Sequence, residues 1–129
     1  MSIESLLIEQ ARLSDLRRYL KEEGRKEASK CARLKTQDLG GFEWSIGDSC
    51  IDETYQGWKD ECAEAAFHHG EGPHFDEAWQ ISVDDGEVCQ HCQNVRTLKR
   101  QRMEAGRKLA GVRAAITRVG RRLAKEAGS

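Results

Sequence analysis

The strongest constraint on the fold lies in the last third of the chain, where Val95, Leu98, Arg102, Ala105, Leu109, Val112, Ile116, Val119 and Leu123 alternate spacings of three and four. Spacings of this kind place every member on one stripe of an α-helix, and only Arg102 interrupts the apolar series. A seam sustained over this length needs a second helix to cover it in coiled-coil fashion. The first segment offers one. Ser2 caps a stretch with Glu4 in its first turn and Leu6, Leu13, Leu16 and Leu20 on one face, although Ser5 stands where Glu or Gln would complete a capping box. Ala28, Cys31 and Leu34 keep the helical spacing past a local fault at Gly24. The pattern therefore predicts one helix over 3–35, closed by Gly40-Gly41, and another over 93–126, each about 50 Å long at about 1.5 Å per residue. Equal lengths favour an antiparallel hairpin within the chain, with a homodimer through the helices as the competing arrangement.

Between these helices the charge reverses. Residues 1–35 carry 9 basic and 6 acidic side chains, 36–88 carry 1 and 14, and 93–129 carry 11 and 2, although the whole chain has a net charge of −1. Such sorting predicts two basic arms around an acidic module, a single domain over 1–129 made of segments 1–35, 36–92 and 93–129. Inside the module, Phe42, Trp44 and Ile46 alternate with polar residues as in a short strand ending at Gly47-Asp48. Asp52 then opens a helix with Tyr55, Trp58, Cys62, Ala65, Ala66 and His69 on one face, stopped by Gly70–Pro73. Trp79, Ile81 and Val83 alternate again, predicting a strand before an Asp85-Gly86 turn.

With 129 residues, 38% hydrophobic and 33% charged, the chain has a thin core that needs a further staple. The absence of a signal-like or membrane-spanning apolar run leads to the expectation of a cytoplasmic protein with no membrane partner. Five cysteines in that compartment read as thiols or metal ligands rather than disulfides. Cys89-Gln90-His91-Cys92 has the spacing of a metal knuckle, since two intervening residues let both sulfurs reach one tetrahedral ion. It sits where a loop enters a helix, whose N-terminal partial charge favours Cys92 as a thiolate. Cys50 and Cys62 are the expected companions in a four-thiolate zinc site, one zinc per chain, with His68, His69, His74 or Cys31 as alternates. Cys31 and Cys62 each also fit a buried apolar helix face, the more so Cys31. The fold class these features define is mainly α: a long antiparallel helical hairpin carrying a small zinc-stapled acidic module with a few short strands.

Arg100, Arg107, Lys108, Arg113, Arg118, Arg121 and Arg122 occupy outer positions of the last helix and leave its seam intact. That layout suits a helix that packs on one side and meets a polyanion on the other. No aromatic side chain accompanies them, so contact with nucleic acid would go to phosphates rather than bases. Docking against the acidic module, in the same or a second copy, and a merely solvated face are the competing readings.

Two resemblances add expectations. The run His68-His69-Gly70-Glu71-Gly72-Pro73-His74-Phe75-Asp76-Glu77, followed by the knuckle, is similar in part to the ββα-metal nucleases, which implies a metal-dependent nuclease. The second cysteine pair and the Asn and final His of that motif do not follow, so binding rather than catalysis is the expected activity. The stretch from Val88-Cys89-Gln90-His91-Cys92 through Leu98-Lys99-Arg100 to Val119-Gly120-Arg121-Arg122 resembles the C-termini of small phage- and prophage-encoded proteins. It implies a mobile-element accessory protein in a bacterial cytoplasm. The expected partner is nucleic acid, held through its backbone. The alternative is a host protein complex, inhibited as anti-defence or anti-CRISPR-like proteins and transcription regulators do, with the acidic module as a nucleic-acid mimic.

Overall fold

The computed structural model describes residues 2–39, 42–46 and 48–128, with 35–39 and 42–46 described by backbone alone. The elements in order are α1 (Ile3–Ala28), β1 (Lys35–Leu39), β2 (Phe42–Ile46), α2 (Cys50–Phe67), α3 (Phe75–Asp84) and α4 (Gln90–Ala127). The chain is mainly helical and divides into two compact units, 1–24 with 97–129, and 25–96. Among the described residues no helix is long and apolar enough to cross a membrane.

The first unit is the helix pair. Ser2 Oγ accepts from the Ser5 N–H at 3.2 Å, capping α1 as its sequence suggests. Leu6, Leu13 and Leu20 recur every seven residues and are buried, as are Ala105 and Leu109 on α4, and Leu13, Leu20 and Ala105 line one cavity between the two helices. The pairing is antiparallel, since Arg17 lies across Gly106 while Glu9, further back along α1, feels the charge of Lys108. Val112, Ile116 and Val119 are half-buried, and from Gly120 onward every described residue of α4 is exposed.

The two helices are not equal. α1 has 26 residues and α4 has 38, about 39 Å and 57 Å at about 1.5 Å per residue. The expected continuation of α1 to Lys35 does not form. After Ala28 the Ser29 hydroxyl donates to the Lys26 carbonyl at 2.7 Å, and the Cys31 and Leu34 N–H groups close tight turns on Ala28 and Cys31. These turns carry Cys31 off the helix axis and into the interior of the second unit.

In that unit β1 and β2 pair antiparallel, with Lys35 opposite Ile46 and Leu39 opposite Phe42. Gly40-Gly41 and Gly47, read as stops, lie outside the described residues. α2 begins earlier than Asp52, because Ser49 is its N-cap in a full capping box with Asp52. This puts Cys50 in the first turn. At the other end His69 adopts φ 60°, and the His69 and Gly70 N–H groups return to Ala66 and Ala65, satisfying the last carbonyls.

The expected strand at 79–83 is the helix α3. Period-two reading selects Trp79, Ile81 and Val83; the structure instead packs Phe75, Trp79 and Val83, four residues apart, onto the core and leaves Ile81 60% exposed. Asp76 and Glu77 stabilise its first turn, and Gly86 at φ 73° ends it, with Gly86 and Glu87 N–H groups bonded to Val83 and Ser82. Phe75 meets Tyr55 and Trp58 of α2 edge-on at 5.8 and 5.5 Å. The Arg96 guanidinium lies over Phe75 and Trp79 at 4.7 and 5.2 Å and pairs with Asp76, so this basic residue of α4 is spent inside the module.

The buried seam predicts a simple contrast. Leu13→Ala, at 1% exposure, should cost about 2–5 kcal/mol, whereas Leu7→Ala, at 49%, should cost less than about 1 kcal/mol. Urea unfolding followed by circular dichroism measures both, and equal costs would show that the two helices do not pair through this seam.

Candidate metal centre

Four cysteine sulfurs, from Cys31, Cys50, Cys89 and Cys92, all lie within 4.8 Å of one another. Each arrives by a local device. The turn after α1 presents Cys31, the Ser49 capping box fixes Cys50 at the start of α2, and Cys89 and Cys92 flank the first turn of α4. The Cys31–Cys50 and Cys31–Cys89 sulfurs are 3.6 and 3.8 Å apart. A tetrahedral ion with bonds of about 2.3 Å holds thiolate sulfurs about 3.8 Å from one another, so the spacing suits such an ion.

Backbone donors surround the sulfurs. Cys50 N donates to Cys31 Sγ at 3.4 Å and Cys89 N to Cys50 Sγ at 3.5 Å. Burial pushes the Cys31 thiol up, but the N–H groups of Cys50 and Arg33 and the neighbouring thiols outweigh it and bring it down to about 6. Partial burial likewise pushes Cys89 up, but the N–H groups of Ala32 and Cys92 lower it. Burial raises Cys50, and it raises Cys92 well beyond the ordinary thiol range. The helix N-terminus is expected to favour Cys92 as thiolate; at 1% exposure, burial outweighs that partial charge and raises the thiol instead.

His91, inside the knuckle, faces away from the sulfurs. Its Nδ1 lies 3.0 Å from Glu27 Oε2, which also accepts from Asn94 Nδ2 at 3.2 Å, tying the end of α1 to the first turns of α4. These two hydrogen bonds, with Lys30 at 3.5 Å, hold the Glu27 carboxyl below its usual range.

The fourth sulfur is Cys31 rather than Cys62. Cys50 and Cys62 share one helix, and twelve residues of helix separate them by about 18 Å, beyond the reach of one ion. Cys62 instead packs on the loop before α3. Its sulfur lies 3.7 Å from the Pro73 carbonyl, and a Cβ placed on Gly72 would come within 2.6 Å of it. None of the alternates His68, His69 and His74 reaches the sulfurs. His68 caps the C-terminus of α2, His69 holds the left-handed position after it, and His74 precedes α3. Cys31 was legible only as an alternate, because its helical spacing with Ala28 and Leu34 is also that of a buried core position.

Compared with known proteins, the chain matches no protein-family model, no curated protein and no solved structure. The geometry of the centre therefore carries the assignment.

Cys31→Ser and Cys62→Ser separate the two ligand sets. Protein purified without chelator should contain about one tightly bound metal per chain by elemental analysis. Cys31→Ser should lose most of it and melt lower, while Cys62→Ser should keep both metal and melting temperature; the reverse result would restore Cys62 to the site. Gly72→Ala should cost about 1–3 kcal/mol in thermal melts by forcing the loop off α2, with metal content retained.

Proposed function

We propose that the protein is a non-enzymatic binding protein in which the four-cysteine centre holds zinc and helix α4 grips the phosphate backbone of nucleic acid. The observation that carries this reading is the placement of the basic side chains on α4. At about 100° per residue, Arg100, Arg107, Arg118, Arg121 and Lys125 fall in a stripe about 60° wide opposite the Ala105–Leu109–Val112–Ile116 seam. All five are exposed. Lys108, Arg113 and Arg122 flank the stripe, also exposed. A row of cations about 38 Å long on a rigid helix matches the repeating charge of a nucleic-acid backbone, and with no aromatic residue on α4 it would bind with little regard to sequence.

Zinc is supported by the donor set. Four soft thiolates suit zinc, and an ion held by all four would have no open position for a substrate or activated water, which favours a structural staple over the metal-dependent nuclease reading. The resemblance of the C-terminal segment adds the setting, an accessory protein of a mobile element in a bacterial cytoplasm. A second reading, an inhibitor of a host protein, draws on the acid-rich exposed faces of α2 and α3, where Asp52, Glu53, Asp60, Glu61, Glu64, Asp76 and Glu77 meet solvent.

Reversing Arg107, Arg121 and Arg122 to Glu tests the first reading. Binding to arbitrary duplex should weaken more than tenfold, and the slope of log affinity against log salt should fall by about 2–3 as phosphate contacts are lost. The melting temperature should hold, because these side chains lie off the packed seam. Undiminished duplex binding by this variant, or no binding by the native protein at low salt, rules the reading out.

A further inference from the structure

From the cleft between α2 and α3 we infer a docking site for a cationic amphipathic helix of a protein partner. The cleft has a volume of about 320 Å³, and Glu53, Gly57, Trp58, Glu61, Ile81 and Glu87 are among its lining residues. Its lining is mixed, with Trp58, Ala78 and Ile81 as the apolar members among carboxylates and hydroxyls. Trp58 is pinned there by its indole N–H, which donates to the Pro73 carbonyl at 2.7 Å, and Ile81 is 60% exposed.

Gly57 is the feature that packing within the protein leaves unexplained. It sits inside α2, where glycine weakens a helix relative to alanine, and a Cβ there would meet nothing within 4 Å. Among the described residues no contact requires the missing side chain; its consequence is a wider cleft.

Charge selects the occupant. Glu53 pairs with Arg33 at 3.2 Å, while among the described residues neither Glu61 nor Glu87 has a cationic partner. Lys59 is the one basic residue in 36–88, and it is turned onto the Tyr55 ring at 5.6 Å. Nucleic acid would be repelled here. A purely apolar segment would cover Ile81 but strip water from the carboxylates without pairing them. A helix bearing Leu or Met beside Lys or Arg at spacings of three and four answers both demands, its apolar side chain on Ile81 and Trp58 and its cations at Glu61 and Glu87. This site uses neither the basic stripe of α4 nor the identity of the metal, so it stands or falls apart from the nucleic-acid reading.

The test uses the full-length, metal-loaded protein and three labelled synthetic helical peptides: one of Leu, Ala, Lys and Arg, one with every Lys and Arg changed to Glu, and one with every Leu changed to Ser. The first should bind in a salt-sensitive way and the other two at least tenfold more weakly. Gly57→Leu should weaken binding of the first peptide at least tenfold by filling the cleft. Leu is the better helix former, so loss of binding with undiminished helicity cannot come from unfolding. Glu61→Lys should act in the same direction, and duplex binding should be unchanged in both variants. Absence of binding by the cationic peptide, equal binding by either control peptide, or full binding by Gly57→Leu would overturn the inference. So would a concentration-dependent dimer in sedimentation that Gly57→Leu abolishes, because the occupant would then be a second copy.

Discussion

Bringing four cysteine sulfurs within 4.8 Å of one another requires the turn after α1, the start of α2 and the first turn of α4 to converge on one point. The described core of 25–96 includes three of the four cysteines. Among the described residues, the buried members of its core are the thiols Cys31, Cys50 and Cys92 together with Trp79 and Val88. A metal ion held by the sulfurs would join parts of the chain far apart in sequence and favour all four as thiolates, including Cys50 and Cys92, whose burial otherwise opposes the charge. The backbone N–H groups aimed at Cys31, Cys50 and Cys89 serve the same end, since they stabilise anionic sulfur without adding a side chain.

Around the sulfurs the module is braced by polar contacts drawn from residues that look expendable. Glu27 joins His91 and Asn94, so the ring between the two knuckle cysteines orients the helix start instead of competing for the metal. Arg96 stacks on Phe75 and Trp79 and pairs with Asp76, fastening α3 to the root of α4. Both arrangements use the ends of long helices as fixed platforms. Short α3, at 10 residues, is below the length at which an isolated helix is stable in water, and it gains its order from this packing.

Helix α4 links two kinds of surface. Its seam is apolar against α1, its opposite face is a row of cations, and its first turn supplies half of the sulfur cluster. The module carries the opposite sign, with a cleft in which Trp58 and Ile81 lie among carboxylates. A chain with a net charge of −1 thus carries a row of cations and a set of carboxylates on separate elements.

The heptad seam of α4, the Leu6–Leu13–Leu20 face of α1 and the Ser2 cap were legible because each depends on neighbours within one or two turns, where sequence spacing is spatial spacing. The Cys89–Cys92 knuckle was legible for the same reason, and Cys50 was named with it. That Cys50 and Cys62 cannot share an ion was also available from helix rise alone, once both were placed on one helix. What only the tertiary structure decided is where periodicity is ambiguous or broken. Trp79-Gln80-Ile81-Ser82-Val83 satisfies a strand as well as a helix, and the choice fell to the aromatic and thiol core that Phe75, Trp79 and Val83 enter together. Cys31 continues the apolar spacing of α1, yet it leaves that helix because the turn after Ala28 delivers its sulfur to three others far along the chain. Local pattern carries no information about such a meeting, since a ligand set is a property of distances between segments, and those distances exist only once the chain has folded.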